Sequence, residues 1–182
     1  MTRMAQPGDS GPKAAAPLIL TPRLDAAAQT RFDAEREVHF PPERNYLAAH
    51  LTLFNHLPGT AIKAIGSRLC AVCAGQPCFM LEVHDLWMMG RGVAYRLRSP
   101  ALARLHAELA EAWRDWLTPQ DRQPLRPHVT IQNKASAEQA RALHDRLHFG
   151  FAPFEVRGTG LLLWHYRGRP WEPAAVYPFS DD

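Results

Sequence analysis

The sequence predicts a mixed α+β domain whose two halves carry strands and helices in the same order. The chain has 182 residues, the size of one ordinary domain. Its hydrophobic content of 46% and charged content of 21% are those of a folded globular protein. Apolar residues recur along the chain with strand-like and helix-like periods in alternation.

The first half is predicted to hold a strand, a helix, a second strand and a second helix. Leu18 begins an apolar strand, and Asp25 can cap the helix that follows, which a pair of prolines ends. Thr60 is predicted to cap the next helix and Gly75 to close it. The predicted strands up to the middle of the chain cover residues 18–20, 50–55, 79–83, 84–88 and 93–97.

The second half repeats this order. Ser99 before Pro100 predicts one helix start, and Ser136 with Gln139 predicts a capping box at another, which Gly150 ends. Both halves therefore run strand, helix, strand, helix, strands, which indicates an internal duplication of architecture. The predicted strands of this half cover residues 128–133, 154–157, 160–166 and 176–179.

The ends of the chain and its charge limit the function classes. Residues 1–16, rich in Ala, Pro, Gly and Ser, predict a flexible tail, and residues 17–182 a single domain. No apolar run reaches about 18 residues, so we expect no membrane partner. The opening residues lack the apolar stretch of a secretory signal, and we expect a cytoplasmic monomer. The net charge of +3 is too small to indicate a nucleic-acid partner by itself.

The cysteines do not predict a disulfide framework or a metal site. The chain has three cysteines, an odd number: Cys70, Cys73 and Cys78. The first two have CxxC spacing, but no second CxxC pair follows. On a helix, Cys70 and Cys73 would share one apolar face. We therefore interpret them as core thiols.

A short segment with the same pattern occurs once in each half. Residues 50–53 have the sequence HLTL, and residues 128–131 have the sequence HVTI. Alternate side chains of a strand share a face, so each His and Thr would point toward a shared groove while the apolar residues bury. Imidazoles exchange protons near neutral pH, and hydroxyls donate hydrogen bonds to phosphate. The pair of motifs therefore predicts phosphate chemistry.

With these residues the chain resembles the two-histidine (2H) phosphoesterase superfamily, in particular its 2′-5′ RNA ligase and cyclic nucleotide phosphodiesterase branch. The resemblance rests on AHLTLF at residues 49–54 and RPHVTIQ at residues 126–132, and it covers nearly all of the chain beyond the tail. It implies a bilobal α+β fold in which two antiparallel sheets face each other across a central groove, with the helices outside. It also implies metal-independent chemistry on RNA-type phosphodiesters. The reaction is either hydrolysis of a 2′,3′-cyclic phosphate to a 2′-phosphate or the joining and cleavage of 2′-5′ linkages.

Two imidazoles suffice for the hydrolysis, because one can deprotonate water while the other protonates the leaving oxygen. We expect His128 to act as the base and His50 as the acid, with the roles exchanged in the reverse reaction. Thr52 and Thr130 would hold the non-bridging phosphate oxygens. No acidic cluster adjoins either motif, so we expect no metal and no cofactor.

Three neighbours of the motifs are candidates for substrate contacts. Arg126 can add positive charge beside the phosphate, or it can pair with a nearby acid. Phe54 and Trp164 can stack on a nucleotide base, or they can belong to the core. The expected partners are RNA ends or a nucleotide phosphodiester.

Two other functions are compatible with the same motifs. One is a non-catalytic RNA- or nucleotide-binding module that keeps the groove without turnover. The other is a metal hydrolase that uses the histidines as ligands, although the carboxylates or third histidine of such a site are not evident.

Overall fold

Seven strands and four α-helices alternate along residues 15–180, which are the residues that the computed structural model describes. The predicted α+β class is confirmed. The predicted tail over residues 1–16 lies outside the described residues except for its last two. The strands are β1 (Leu18–Leu24), β2 (Phe54–Leu57), β3 (Phe79–Met88), β4 (Val93–Arg98), β5 (His128–Gln132), β6 (Phe154–His165) and β7 (Glu172–Pro178). The helices are α1 (Ala26–His39), α2 (Ile62–Ala74), α3 (Pro100–Ala112) and α4 (Ala137–Phe149).

All seven strands join one antiparallel sheet in the order β2-β1-β6-β3-β4-β5, with β7 beside β6. The long strand β6 connects two parts of this sheet, because Gly158 pairs with Leu24 of β1 on one edge and with Phe79 of β3 on the other. Beyond Gly158, β7 takes the place of β3 along β6. The sheet is therefore continuous across β6, whereas two separate sheets were predicted from the sequence. The division of the fold into two lobes stays a prediction.

The strand order is unchanged when the two halves of the chain are exchanged. Strands β1, β2 and β3 of the first half correspond to β4, β5 and β6 of the second. Exchanging them converts the order β2-β1-β6-β3-β4-β5 into its own reverse. The topology thus supports the internal duplication and makes the two motif segments equivalent in position.

Most of the predicted helix starts are confirmed by their capping hydrogen bonds. The Asp25 carboxylate accepts from the backbone of Ala28 at 2.9 Å, at the start of α1. Ser99 caps α3. Ser136 and Gln139 form the predicted capping box of α4, with bonds of 3.0 and 2.9 Å.

Two predicted elements of the first half are wrong. Thr60 does not cap α2, which begins at Ile62 after a 3₁₀ turn and has no side-chain cap. The predicted strand at residues 50–55 does not form as a whole. Strand β2 begins only at Phe54, although the Leu53 N–H already donates to the carbonyl oxygen of Leu20 in β1 at 2.8 Å. Side chains of α1 bond the backbone of the preceding Ala49 instead of a neighbouring strand, as described below.

The motif segments nevertheless alternate between the core and the opposite side as predicted. Leu51, Leu53, Val129 and Ile131 are buried in the apolar core, while the histidines and threonines between them are half-buried. Helices cover the core side, with α1 packed against β5 and α4 against β3. The alternation therefore presents both His-x-Thr pairs away from the core.

The cysteine interpretation is right for one residue of the pair and wrong for the other. Cys73 is buried, and this burial raises the pKa of its thiol to about 12. Cys70, on the same helix, is exposed. Helix α2 thus buries only a narrow stripe.

The helices found between residues 15 and 180 do not meet the requirements of a membrane span. None of them has the necessary length together with the necessary apolar character.

Candidate active site

The two motif histidines are held in the same way. Nδ1 of His50 lies 2.8 Å from the carbonyl oxygen of Ala48, and Nδ1 of His128 lies 2.7 Å from that of Arg126. A carbonyl oxygen only accepts hydrogen bonds, so Nδ1 carries the proton and the neutral ring has its lone pair on Nε2. Within residues 15–180 neither Nε2 is hydrogen-bonded. In both histidines, Nε2 is therefore free to exchange protons with a substrate.

Helix α1 fixes the backbone that leads into His50. The Gln29 side chain donates to the carbonyl oxygen of Ala49 at 2.8 Å, and the Asp33 carboxylate accepts from the Ala49 N–H at 2.6 Å. Gln29 also donates to Asp33 at 3.1 Å, so the two side chains support each other. Both polar groups of Ala49 are therefore satisfied by α1, and His50 is positioned without strand pairing.

Arg36, one turn further along α1, connects the two motifs. Its Nε donates to the side chain of Asn45 and to the carbonyl oxygen of Leu47, at 2.8 and 2.9 Å. Its Nη1 donates to the carbonyl oxygen of Thr130 at 2.9 Å. Arg36 is only 5% exposed, and its guanidinium lies over the Phe40 ring at 3.9 Å. This buried cation thus ties the segment before His50 to the second motif.

Each motif histidine also contacts a tryptophan ring. The ring centroids of His50 and Trp171 are 4.6 Å apart, and those of Trp171 and Trp164 are 6.2 Å apart. His128 meets Trp87 in an edge-on contact at 5.3 Å. Sequence reasoning missed Trp171 and Trp87, because no local pattern relates them to histidines that lie far away in the chain.

His50 stands where two clefts meet. The larger has a volume of about 730 Å³ and apolar walls that include Trp164 and Trp171. The smaller, of about 230 Å³, brings His50 together with Thr130 and also contains Trp171. Thr52 is half-buried but is not on the wall of this smaller cleft. Of the predicted phosphate ligands, the structure therefore places Thr130 beside His50.

A third cleft, of about 290 Å³, is lined by Pro127 and by Trp87, the ring contact of His128, but not by His128 itself. Its walls include Trp87, Arg96 and the exposed predicted residue Arg126. Arg96 lies 3.6 Å from the Asp85 carboxylate, whereas no ion pair of Arg126 occurs within residues 15–180. The alternative in which Arg126 pairs with an acid is therefore not supported.

The surroundings of His50 favour its neutral form. Burial lowers the pKa of His50 from 6.5, and the positive charges of Arg36 and His128 lower it further. The hydrogen bond to Ala48 and the negative charge of Asp33 act in the opposite direction without reversing the shift. The influence of His128 means that the two imidazoles interact electrostatically.

Of the two alternatives for Phe54, the structure supports the core position and not base stacking. The ring is fully buried, stacks on His106 at 4.7 Å and meets Trp113 edge-on at 5.3 Å. The reason is a bend at Leu53, after which Phe54 turns into the core instead of continuing the His50 face. Trp164 is half-buried on the wall of the large cleft, where stacking stays a prediction.

Metal-ligating side chains do not cluster in the described part of the chain. Residues 15–180 contain no group of three or more His, Cys, Asp or Glu side chains that could hold a metal ion.

Comparison with known proteins places this architecture in a family. The family model of the 2′-5′ RNA ligase superfamily matches residues 23–170. No curated protein sequence matches the chain significantly.

Solved structures with the same fold cover nearly the whole chain. TT0787 of Thermus thermophilus has a TM-score of 0.67 at 15% identity, covering 91% of this chain and 99% of its own. E. coli LigT complexed with 3′-AMP has a TM-score of 0.60 at 24% identity, covering 91% and 98%. A structure described as a phosphoesterase has a TM-score of 0.60 at 25% identity, covering 91% and 99%. These findings support a phosphoesterase-type activity, and the chain belongs to the 2′-5′ RNA ligase superfamily.

Proposed function

We propose that this protein is a metal-independent phosphodiesterase that acts on 2′,3′-cyclic phosphates or 2′-5′ linkages of RNA or nucleotides. The observation that carries the proposal is the matched presentation of His50 and His128. Each ring is fixed through Nδ1 by the carbonyl two residues earlier, which leaves Nε2 to exchange protons. One such group is needed on each side of a phosphorus atom.

In the proposed hydrolysis, Nε2 of one histidine accepts a proton from water as the water oxygen bonds to phosphorus. The bond from phosphorus to the 3′-oxygen then breaks, and the second, protonated histidine gives its proton to that oxygen. The product carries a 2′-phosphate and a free 3′-hydroxyl. Each proton transfer contributes typically about 10²- to 10⁴-fold to the rate.

We propose roles for the two histidines from the surroundings of His50. A base must be neutral before the reaction, and burial lowers the pKa of His50 from 6.5. We therefore assign the base to His50 and the acid to His128. This is the reverse of the assignment made from the sequence, where nothing distinguished the two motifs.

The remaining residues of the proposed site bind the substrate. Thr130 shares a cleft with His50 and would donate its hydroxyl hydrogen to a non-bridging phosphate oxygen, as would Thr52 in the equivalent position. Trp171 and Trp164 on the wall of the larger cleft offer ring faces to a base. Arg126 would add positive charge on the His128 side.

The proposal is tested by turnover of adenosine 2′,3′-cyclic phosphate in EDTA. We expect wild-type activity to persist, and both His50→Ala and His128→Ala to lose about 10²-fold or more. His148→Ala is the matched control, because His148 is an exposed residue of α4.

Other outcomes would contradict the proposal in distinguishable ways. Unchanged turnover in either motif variant would remove that histidine from the mechanism. Loss of activity in EDTA would indicate a metal hydrolase. Nucleotide binding with no product from a panel of cyclic and 2′-5′-linked substrates would indicate a binding module.

A further inference from the structure

The smaller cleft beside His50 is strongly basic. Four of its twelve lining residues are Arg or Lys, and none is Asp or Glu. We call it the basic cleft. Its cations are Arg36, Arg44, Lys134 and Arg169, and its lining also includes His50 and Thr130.

The positive charges of the basic cleft are poorly neutralised by the protein. Within residues 15–180 neither Lys134 nor Arg169 has an ion pair, and Arg44 has only Glu43, 3.9 Å away and largely exposed. Other surface arginines of the chain are paired more closely, for example Arg98 with Glu82 at 2.7 Å. Cations that gather in one cavity without acidic partners are an arrangement that binds an anion.

Arg36 contributes a donor from the interior. Its Nε and Nη1 are occupied by Asn45, Leu47 and Thr130. Its Nη2 has no protein acceptor in the part of the chain that the structure describes, and it is not among the buried unpartnered atoms there, so it is open to the cleft that Arg36 lines. A buried guanidinium with a free donor favours an acceptor of negative charge.

Lys134 is placed by an unusual backbone. Its φ is 62°, in the left-handed region that side chains other than Gly, Asn and Asp seldom adopt. The preceding Asn133 stabilises this turn, because its side-chain oxygen accepts from the Lys134 N–H at 2.7 Å. The turn directly follows β5, so the ammonium group stands at the end of the strand that carries Thr130.

The basic cleft contains part of the proposed reaction centre, and its cations lie around that part; it also shares a wall with the large cleft. His50 and Thr130 belong to its lining, and Tyr46 and Trp171 line both cavities. We consider a nucleotide whose base occupies the large cleft and whose reacting phosphorus lies at His50. A second phosphate of such a nucleotide would extend into the basic cleft. Its volume of about 230 Å³ accommodates a phosphate group.

We infer that the basic cleft binds a second phosphate of the substrate, in addition to the phosphodiester that reacts. The inference rests on the proposed function, and it defines the substrate class as a nucleotide or RNA end that carries another phosphate. That phosphate is either a terminal 5′-monoester or the next diester of an RNA strand. Both present anionic oxygens to guanidinium and ammonium groups.

The test compares three substrates that differ in this group. They are adenosine 2′,3′-cyclic phosphate, its 5′-phosphorylated form, and the dinucleotide ApA ending in a 2′,3′-cyclic phosphate. We expect the wild type to have a KM at least about tenfold lower for one or both of the phosphate-bearing substrates. A preference for the monoester identifies a terminal phosphate, and a preference for the dinucleotide identifies an RNA strand.

Neutral variants test which residues supply the preference. Arg169→Gln and Lys134→Gln should remove most of this preference, measured as the ratio of the KM of the simple cyclic nucleotide to that of the phosphate-bearing substrate. Both residues are exposed, so neither change threatens the core. Arg104→Gln, at an exposed arginine of α3 outside the basic cleft, matches the loss of charge and should keep the preference.

A binding measurement separates this inference from the proposed function. Calorimetry compares adenosine 2′-monophosphate with adenosine 2′,5′-bisphosphate, which requires no turnover. Tighter binding of the bisphosphate that Arg169→Gln abolishes would support the second-phosphate cleft even if no substrate is hydrolysed. Equal KM values for all three substrates, or a preference that survives both neutral variants, would overturn it.

Discussion

Arg36 donates a hydrogen bond from Nη1 to the carbonyl oxygen of Thr130 at 2.9 Å, joining residues that are 94 positions apart. The same guanidinium binds the carbonyl oxygen of Leu47, three residues before His50. One side chain of α1 therefore sets the spacing between the two His-x-Thr motifs. The proposed mechanism needs that spacing to be fixed, because both imidazoles must reach one phosphorus atom.

Replacing Arg36 by Met should reduce both stability and turnover. The change leaves the carbonyls of Leu47 and Thr130 without their donor, and an unsatisfied buried polar group costs about 1–3 kcal/mol. We expect the free energy of unfolding, measured in urea, to fall by about 3 kcal/mol, and kcat to fall at a temperature where the variant is folded. Arg104→Met, at an exposed position, should change stability by less than about 0.5 kcal/mol. Equal unfolding curves for Arg36→Met and the wild type would contradict the bridging role.

The lowered pKa of His50 predicts how activity depends on pH. Burial is the main cause of this lowered pKa. In the free enzyme His50 therefore stays neutral to a pH below 6.5, the ordinary pKa of a histidine. If His50 is the base, the acidic limb of the kcat/KM profile should have its midpoint below pH 6.5. The pH profile of kcat/KM and NMR titration of His50 in the free protein measure this. An acidic limb centred above pH 6.5 would contradict the assignment.

Asp33 offers a matched variant for this prediction. Its negative charge raises the pKa of His50, so Asp33→Asn should move the acidic limb to still lower pH. The asparagine oxygen can continue to accept from the Ala49 N–H, which limits the structural change. Glu37→Gln, at an exposed position of the same helix, should leave the limb in place. Movement of the limb in the opposite direction would show that Asp33 does not act through its charge.

Stability should also depend on pH through three histidines. Burial lowers the pKa of His39, His50 and His106 from 6.5 in the folded protein. Below pH 6.5 the unfolded chain therefore binds more protons than the folded one, so the free energy of unfolding falls as the pH falls. Above pH 6.5 these groups contribute no pH dependence. Urea unfolding between pH 5 and 8 measures the effect, and stability that rises on acidification through pH 6 would contradict it.

The sequence allowed prediction of features that local chemistry determines. The alternation of residues 50–53 and 128–131 identified Leu51 and Val129 as core residues because it depends only on neighbours in the chain. The capping residues Asp25 and Ser136 were identified for the same reason. These features need no knowledge of which strands pair.

Features that depend on distant parts of the chain were not predicted. Trp171 reaches His50 only because the segment before β7 returns beside β6, and Arg36 reaches Thr130 only because α1 packs on β5. The sequence left the role of Phe54 open between stacking and the core, because a period of two does not show the bend at Leu53 that turns Phe54 inward. Local periodicity does not record such a bend.

Matched substitutions to Leu separate the roles of Phe54, a stacking candidate from the sequence, and Trp171, a stacking candidate from the structure. Phe54 is fully buried against His106 and Trp113, so Phe54→Leu should lower the free energy of unfolding by about 1–2 kcal/mol and leave KM unchanged. Trp171 lines both clefts beside His50, and base–aromatic stacking contributes about 1–3 kcal/mol per base. Trp171→Leu should therefore raise KM for a cyclic nucleotide about tenfold with little change in stability. Steady-state kinetics and urea unfolding of both variants give the comparison. A KM effect confined to Phe54→Leu would contradict stacking of the base on Trp171.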